Sequence, residues 1–304
     1  MTTLFIVDAG SPESCQPLTC SRPLAAIPVA NRPLREQQMA ILLAAGLSVV
    51  ETLGNAQFCL LGNAWVAPTD LAVLVAAKAP AVLVDAAGQP LAWTAVAGLA
   101  MPPPSAVVLQ ASGVSFAIRY PWDLLRVNEL LVEAIRNDVI EGSVSDRATI
   151  EGRLVLGAGS RILPGVYIEG NVVIGRNCKI GPNCYLRGST AIGDGCHVGQ
   201  SVEIMNCILM DKVAVGHLSY VGDSILGART NLGAGTITAN FRHDGGSHRS
   251  MVQGQLLDTG RRKFGAILGD DVHTGIHTSL YPGRKLWPGT STLPGTVVQK
   301  DVLK

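Results

Sequence analysis

From Ile150 onward an aliphatic residue recurs every six positions: Ile150, Leu156, Ile162, Ile168, Ile174, Ile180, Leu186, Ile192, Val198 and Ile204. Two positions before each stands a small or mid-sized residue, among them Ala148, Val166, Val172, Cys178, Cys184, Cys196 and Val202, and Gly or another turn former often follows. A period of six fits neither an amphipathic helix nor coiled-coil heptads. It fits short strands laid along a triangular prism, three hexads to a coil, with the aliphatic residue inward and Gly at the corners. After Ile204 the register loosens, resumes through Val221, Leu232 and Ile237, returns around Ile267, Ile276 and Leu280, and fades towards Pro294. The polar, Gly-rich stretch 241–262 reads as a loop or hairpin projecting from the coil, either a tolerated surface loop or a wall of a binding site.

The first third patterns differently. LFIVDAG is an apolar run closed by a turn, residues 34–47 read as helix, and LSVVE, AQFCLLG and APAVLVD are further short apolar strands. That alternation predicts a small α/β domain. MPPPSA breaks the pattern, and residues 121–136 place Leu124, Val127, Leu131 and Ile135 on one helical face. The predicted organisation is an α/β domain over 1–118, a linker helix over 119–140 and a parallel β-helix over 141–304.

Composition narrows the function. Hydrophobic residues are 47% and charged residues 15% of 304, enough apolar surface for two cores. A net charge of +1 and 5% aromatic residues favour neither nucleic acid nor an anionic membrane as partner. Seven cysteines show no CxxC pair, and three fall on an apolar repeat position, which predicts reduced, buried thiols in a cytoplasmic protein. MTTLFIVDAG lacks a basic n-region and a long h-region, so no secretory signal is expected.

Residues 216–240, GHLSYVGDSILGARTNLGAGTITAN, closely resemble the acetyltransferase domain of the bifunctional glucosamine-1-phosphate acetyltransferase/N-acetylglucosamine-1-phosphate uridyltransferase family. GRRKFGAILGDDVHTGI is similar to the archaeal two-domain sugar-1-phosphate nucleotidylyltransferases of that group. PLTCSRPLAAIPVANRPL is similar to the opening segment of the nucleotidyltransferase domain, and YPWDLLRVNELL to the inter-domain helix. The resemblance implies a left-handed β-helix, a homotrimer, and acetyl-CoA as co-substrate. It implies His217 as general base, Asn240 as the group orienting the acetyl group or the sugar amine, and Asn231 as a sugar contact. Arg187 and Tyr220 would contact substrate phosphate, and Lys263 would reach it from a neighbouring chain. Backbone N–H groups near Ala266 and Gly275 would polarise the thioester carbonyl. The chemistry is coherent, because a sugar ammonium must lose a proton before attack and imidazole titrates near neutrality. No Cys or Ser has an evident activating partner, so direct transfer is expected.

The departures from the family are as informative. Its second phosphate-binding Lys falls on Met205, which cannot pair with phosphate. The glycine-rich nucleotide loop reads VDAGSPESCQPLT, with Pro12 at a loop Gly, Ser14 at the Arg and Glu13 added, while Leu24 replaces a Lys and Asn63 a metal-binding Asp. Nucleotidyl transfer is therefore expected to be lost. The acceptor is expected to be an amino-sugar phosphate or a nucleotide amino sugar. Two rivals follow: a non-catalytic nucleotide-sugar-binding scaffold, and a surviving sugar-1-phosphate uridylyltransferase. Six histidines raise zinc, but His273 and His277 lie four apart in a repeat of six, so no metal is expected.

Overall fold

The computed structural model describes residues 2–96 and 99–303. The chain forms two compact units, one of residues up to 12, 23–27 and 32–119, the other of 13–22, 28–31 and 120–304. The long segments of the two units meet at Arg119/Tyr120, and two early segments and the helix over 121–133 group with the second unit.

The first unit is a six-stranded sheet in the order Leu47–Val49, Thr2–Val7, Phe58–Leu61, Pro90–Thr94, Ala81–Val84, Val107–Gln110. The predicted runs LFIVDAG, LSVVE, AQFCLLG and APAVLVD all become strands, the first three mutually parallel. Pro90–Thr94 joins antiparallel to both its neighbours, a strand the sequence pattern did not give. Helices α1 (Leu34–Ala44) and α2 (Pro68–Val75) contribute Leu42, Leu71 and Leu74 to one core with Leu4, Leu60 and Leu83.

The second unit is the β-helix, all of its inter-coil pairings parallel. Its first face carries the eight strands from Val139–Ile140 to Lys285–Leu286, its second the seven from Ser143–Val144 to His273–Thr274, and its third the eight from Thr149–Glu151 to Val297–Val298. The repeat aliphatics, from Leu156 and Ile162 to Ile204, stack inside as one core, with Cys178, Cys184, Cys196 and Cys207 among them as free thiols. Each such side chain, removed from water, contributes roughly 1.5–3 kcal/mol.

The faces differ outside. Strands on the second face alternate exposed and buried, as Arg161–Ile162 and Lys179–Ile180 do, whereas Val172–Ile174 and Thr190–Ile192 on the first face are buried throughout. The cover is α3 (Pro121–Glu133) together with the early segments. Asn128 donates to the Ser189 carbonyl at 2.6 Å and accepts from the Ala30 N–H, and Arg22 pairs with Asp270. The apolar pattern of 121–136 is thus the inner face of a helix lying on a sheet, with Leu124 and Val127 fully buried.

The loosened register has a simple cause. Leu186 to Ile192, third face to first, takes six residues, but Ile204 to Leu209 and Val221 to Leu226 take five. From Thr238 to Leu268 the same corner carries the long excursion, which contains a hairpin, Arg249–Val252 against Gln255–Asp258. The inward residues of the last coils are therefore Thr238, Leu268, Thr274 and Leu280. Ile237 and Ile276, read from sequence as repeat positions, face outward and are exposed, because the lost residues shift the frame.

Candidate functional site

All the irregular turns lie on the corner between the third and first faces, and the residues they carry converge there. Asn206 and Asp223 take left-handed backbone angles, φ 52° and 47°, at equivalent turns of successive coils. Asp223 is 3% exposed, and its two oxygens accept from Asn206 Nδ2 at 2.8 Å and Asn240 Nδ2 at 2.6 Å. Asn206 also donates to Glu129 of α3 at 2.7 Å, and Arg261 from the excursion pairs with the same Glu129. A carboxylate this enclosed is kept by its donors rather than by water.

Tyr220 leans onto this network. Burial pushes its phenol up to about 12, although a hydrogen bond with Asn240 pulls the other way. Gly222 makes the room: a Cβ there would lie 2.5 Å from the Tyr220 hydroxyl and 2.6 Å from Asn240 Nδ2. The Asn240 carbonyl is itself held by the Phe264 N–H at 3.0 Å and the buried His248 ring at 2.8 Å. Lys263 is exposed beside it, in an antiparallel bridge to Phe241.

His217 ends the strand Ala214–His217 on the next corner, three residues before Tyr220. It is exposed; its carbonyl accepts from Ser219 Oγ at 2.8 Å and from the Gly235 N–H. His277 occupies the same corner two turns on, its Nδ1 2.6 Å from where a Cβ of Gly235 would be. Between the two corners runs a groove of about 520 Å³ lined by Tyr167, Tyr185, Glu203, Leu218 and Tyr220 among others.

Arg187 is placed two strands before the Tyr220 strand, bonded to Glu203 at 2.9 Å and 5.2 Å from the Tyr185 ring. Met205 lies in register between Arg187 and Gly222 and is 7% exposed, so an apolar side chain fills the position of the family Lys. Asn231 is exposed on the second face, opposite Ala214 and therefore about 10 Å along the strand from His217. Ala266 and Gly275 do not join the group. The Ala266 N–H donates to Ser224 Oγ at 2.9 Å on a fully buried residue, and the Gly275 N–H donates to Thr292. Both N–H groups expected to face a thioester are taken up by neighbouring turns of the coil.

Of the residues here, Asp223, Asn206, Glu129 and Arg261 were not singled out from sequence, and His248 and His277 entered only among the six histidines weighed for zinc. The available signal was the five-residue spacing at 204–209 and 221–226, which marks two non-standard corners. Among the described residues no group of three or more His, Cys, Asp or Glu is arranged to hold a metal ion, and no helix is long and apolar enough to cross a membrane. In the first unit, Leu24 is buried and its N–H donates to the Gly10 carbonyl, while Asn63 and Ile118 bond each other.

Fold and site together define a hexapeptide-repeat parallel β-helix carrying a polar cluster at one corner and a histidine beside it. Residues 168–282 match the family described as GMPPB C-terminal domain. The chain is 37% identical over 195 residues to the bifunctional sugar-1-phosphate nucleotidylyltransferase/acetyltransferase of Sulfurisphaera tokodaii, covering 64% of this chain and 49% of that one. It is 40% identical over 185 residues to the bifunctional protein GlmU of Methanococcus aeolicus (60% and 44%), and 45% identical over 196 residues to that of Methanococcus maripaludis strain C7 (64% and 47%). The first of these names gives both of the activities that the resemblance at residues 216–240 implied. The chain spans about half the length of the curated relatives it matches.

Proposed function

We propose that the protein is an acetyl-CoA-dependent N-acetyltransferase acting on an amino-sugar phosphate or a nucleotide amino sugar, with His217 as general base. The observation that carries this reading is an exposed His217 three residues before Tyr220, which joins an Asn240–Asp223 network and lines the neighbouring groove. The His217 imidazole takes a proton from the sugar ammonium. The freed nitrogen attacks the thioester carbonyl, an amide forms, and coenzyme A leaves as its thiol. Tyr220, locked by Asn240, and Arg187 fix the acceptor, Asn231 contacts the sugar, and Lys263 reaches its phosphate from a neighbouring copy in a homotrimer. Met205 favours an acceptor whose phosphate needs one fewer cation than glucosamine 1-phosphate. The buried Leu24 and the tied Asn63 support loss of nucleotidyl transfer in the first unit.

The test is release of free thiol from acetyl-CoA with a panel of amino-sugar phosphates and nucleotide amino sugars. His217→Ala is expected to lower kcat about 10²- to 10⁴-fold. Thiol release at the blank level for every amine would leave the scaffold reading instead. Unchanged release in His217→Ala would remove His217 as base, and pyrophosphate formed from UTP, Mg²⁺ and a sugar 1-phosphate would restore uridylyl transfer.

A further inference from the structure

A second cavity, of about 550 Å³, lies at the far end of the β-helix from the first coil, lined by Glu13, Gln16, Met251, Val252, Lys285, Trp287, Asp301 and Leu303, among others. Lys285 is the anomaly there. It occupies the outward position on the first face, in register with Ile267 and beyond that Ile225, so the column it continues is apolar and covered. Its side chain is 2% exposed overall, against a buried Cys15. Its ammonium interacts electrostatically with Asp301 and Cys15, and no side-chain hydrogen bond ties it among the described residues. The Lys285 backbone N–H does bond Asp301 Oδ1 at 2.9 Å, which holds that carboxylate at the cavity. One nearby carboxylate only partly offsets the burial of this ammonium, so a group in the cavity that accepted its hydrogen bonds would stabilise it further.

The other polar groups decide what that is. Glu13 lines the cavity with one oxygen held by Gln253 of the hairpin turn at 3.1 Å. A simple anion would meet Lys285 but also two carboxylates. A simple cation would satisfy Asp301 and Glu13 and leave Lys285 alone. Met251, Val252, Trp287 and Leu303 give the remaining wall an apolar surface and a ring on which a side chain can stack. The volume is within the range of small-ligand sites.

We propose that this cavity binds a small zwitterion, an α-amino acid with an aromatic or branched aliphatic side chain, its carboxylate on Lys285 and its ammonium on Asp301 and Glu13. The site shares no residue with the groove at Tyr220, so occupancy acts on the end of the coil and on the early segment that covers it.

Calorimetric titration and thermal shift of the full chain test this with L-phenylalanine and L-leucine, beside 3-phenylpropionate, which lacks the amine, and phenethylamine, which lacks the carboxylate. The amino acids are expected to bind and raise the melting temperature, each single-charge analogue binding about tenfold more weakly or worse. Lys285→Met and Asp301→Asn are each expected to weaken binding by a similar factor. The surface variant Glu13→Gln, which leaves the core untouched, is expected to weaken it several-fold. Equal binding of phenylpropionate, undiminished binding in Lys285→Met or in Glu13→Gln, or no binding by either amino acid would overturn the proposal.

Discussion

At Gly222 a methyl group has nowhere to go, since the Tyr220 hydroxyl and the Asn240 amide both lie within 2.6 Å of its place. Gly222→Ala is therefore expected to separate that pair and to cost about 1–3 kcal/mol of stability, as overpacking does. The check is a thermal melt beside kcat/KM for the acceptor, which should fall together with the melting temperature. Tyr220 itself stays a phenol through the working range, because burial holds it at about 12. Tyr220→Phe should then lower kcat/KM while leaving the shape of the pH–rate profile between about pH 6 and 10 unchanged, since no group titrating there is removed. A lost basic limb in that profile would show the phenol to be titrating. At this scale the sequence was partly legible. His217, Tyr220, Asn231 and Asn240 sit in one quotable stretch, whereas Asp223 and Asn206 look like ordinary turn residues until their partners, Glu129 and Arg261, arrive from distant parts of the chain.

The corner that carries these residues is where the repeat fails, and the failure is the useful signal. Six-residue spacing announces a prism. Five-residue spacing at 204–209 and 221–226, followed by the excursion after Thr238, makes one edge unlike the other two. The periodicity gave the faces and the core directly; it misplaced Ile237 and Ile276 because two lost residues shift the frame. It could not give the contacts of the excursion, which depend on where its hairpin folds back. His248 is the clasp of that excursion, 2% exposed and bonded to the Asn240 carbonyl. Burial lowers its imidazole below the ordinary 6.5. In the unfolded chain it therefore takes up a proton first, so stability is expected to fall as pH drops from 6.5 towards the lower folded value and to level off below it. Denaturant midpoints from about pH 7.5 to 4.5, compared with His248→Gln, test this, with a flatter acid limb expected in the variant. Identical slopes would assign the acid sensitivity elsewhere.

For the molecule as a whole, the two-domain pattern in the sequence conceals an interleaving of the chain. Helix α3 reads as a linker and the early segments as parts of the α/β domain, yet residues 13–22 and 28–31 belong with the β-helix. The reason is on the first face. Val173, Ala191, Ile208, Ile225 and Ile267 face outward there, all 7% exposed or less, so this side of the prism is apolar on both surfaces and must be covered. Arg22 on Asp270, Ala30 on Asn128, and Asn31 on the Val173 carbonyl pin the cover in place. A fragment cut at the evident boundary, residues 120–304, keeps every coil and every residue proposed for acetyl transfer but loses that cover beyond α3. It would expose a continuous apolar strip, the kind of surface that drives association. The fragment is expected to bind a hydrophobic dye and to run as large species in gel filtration, while far-UV circular dichroism keeps the β signal. Adding back a peptide of residues 13–31 should lower dye binding. A fragment that is monodisperse and dye-silent without the peptide would mean that α3 alone suffices to cover the face.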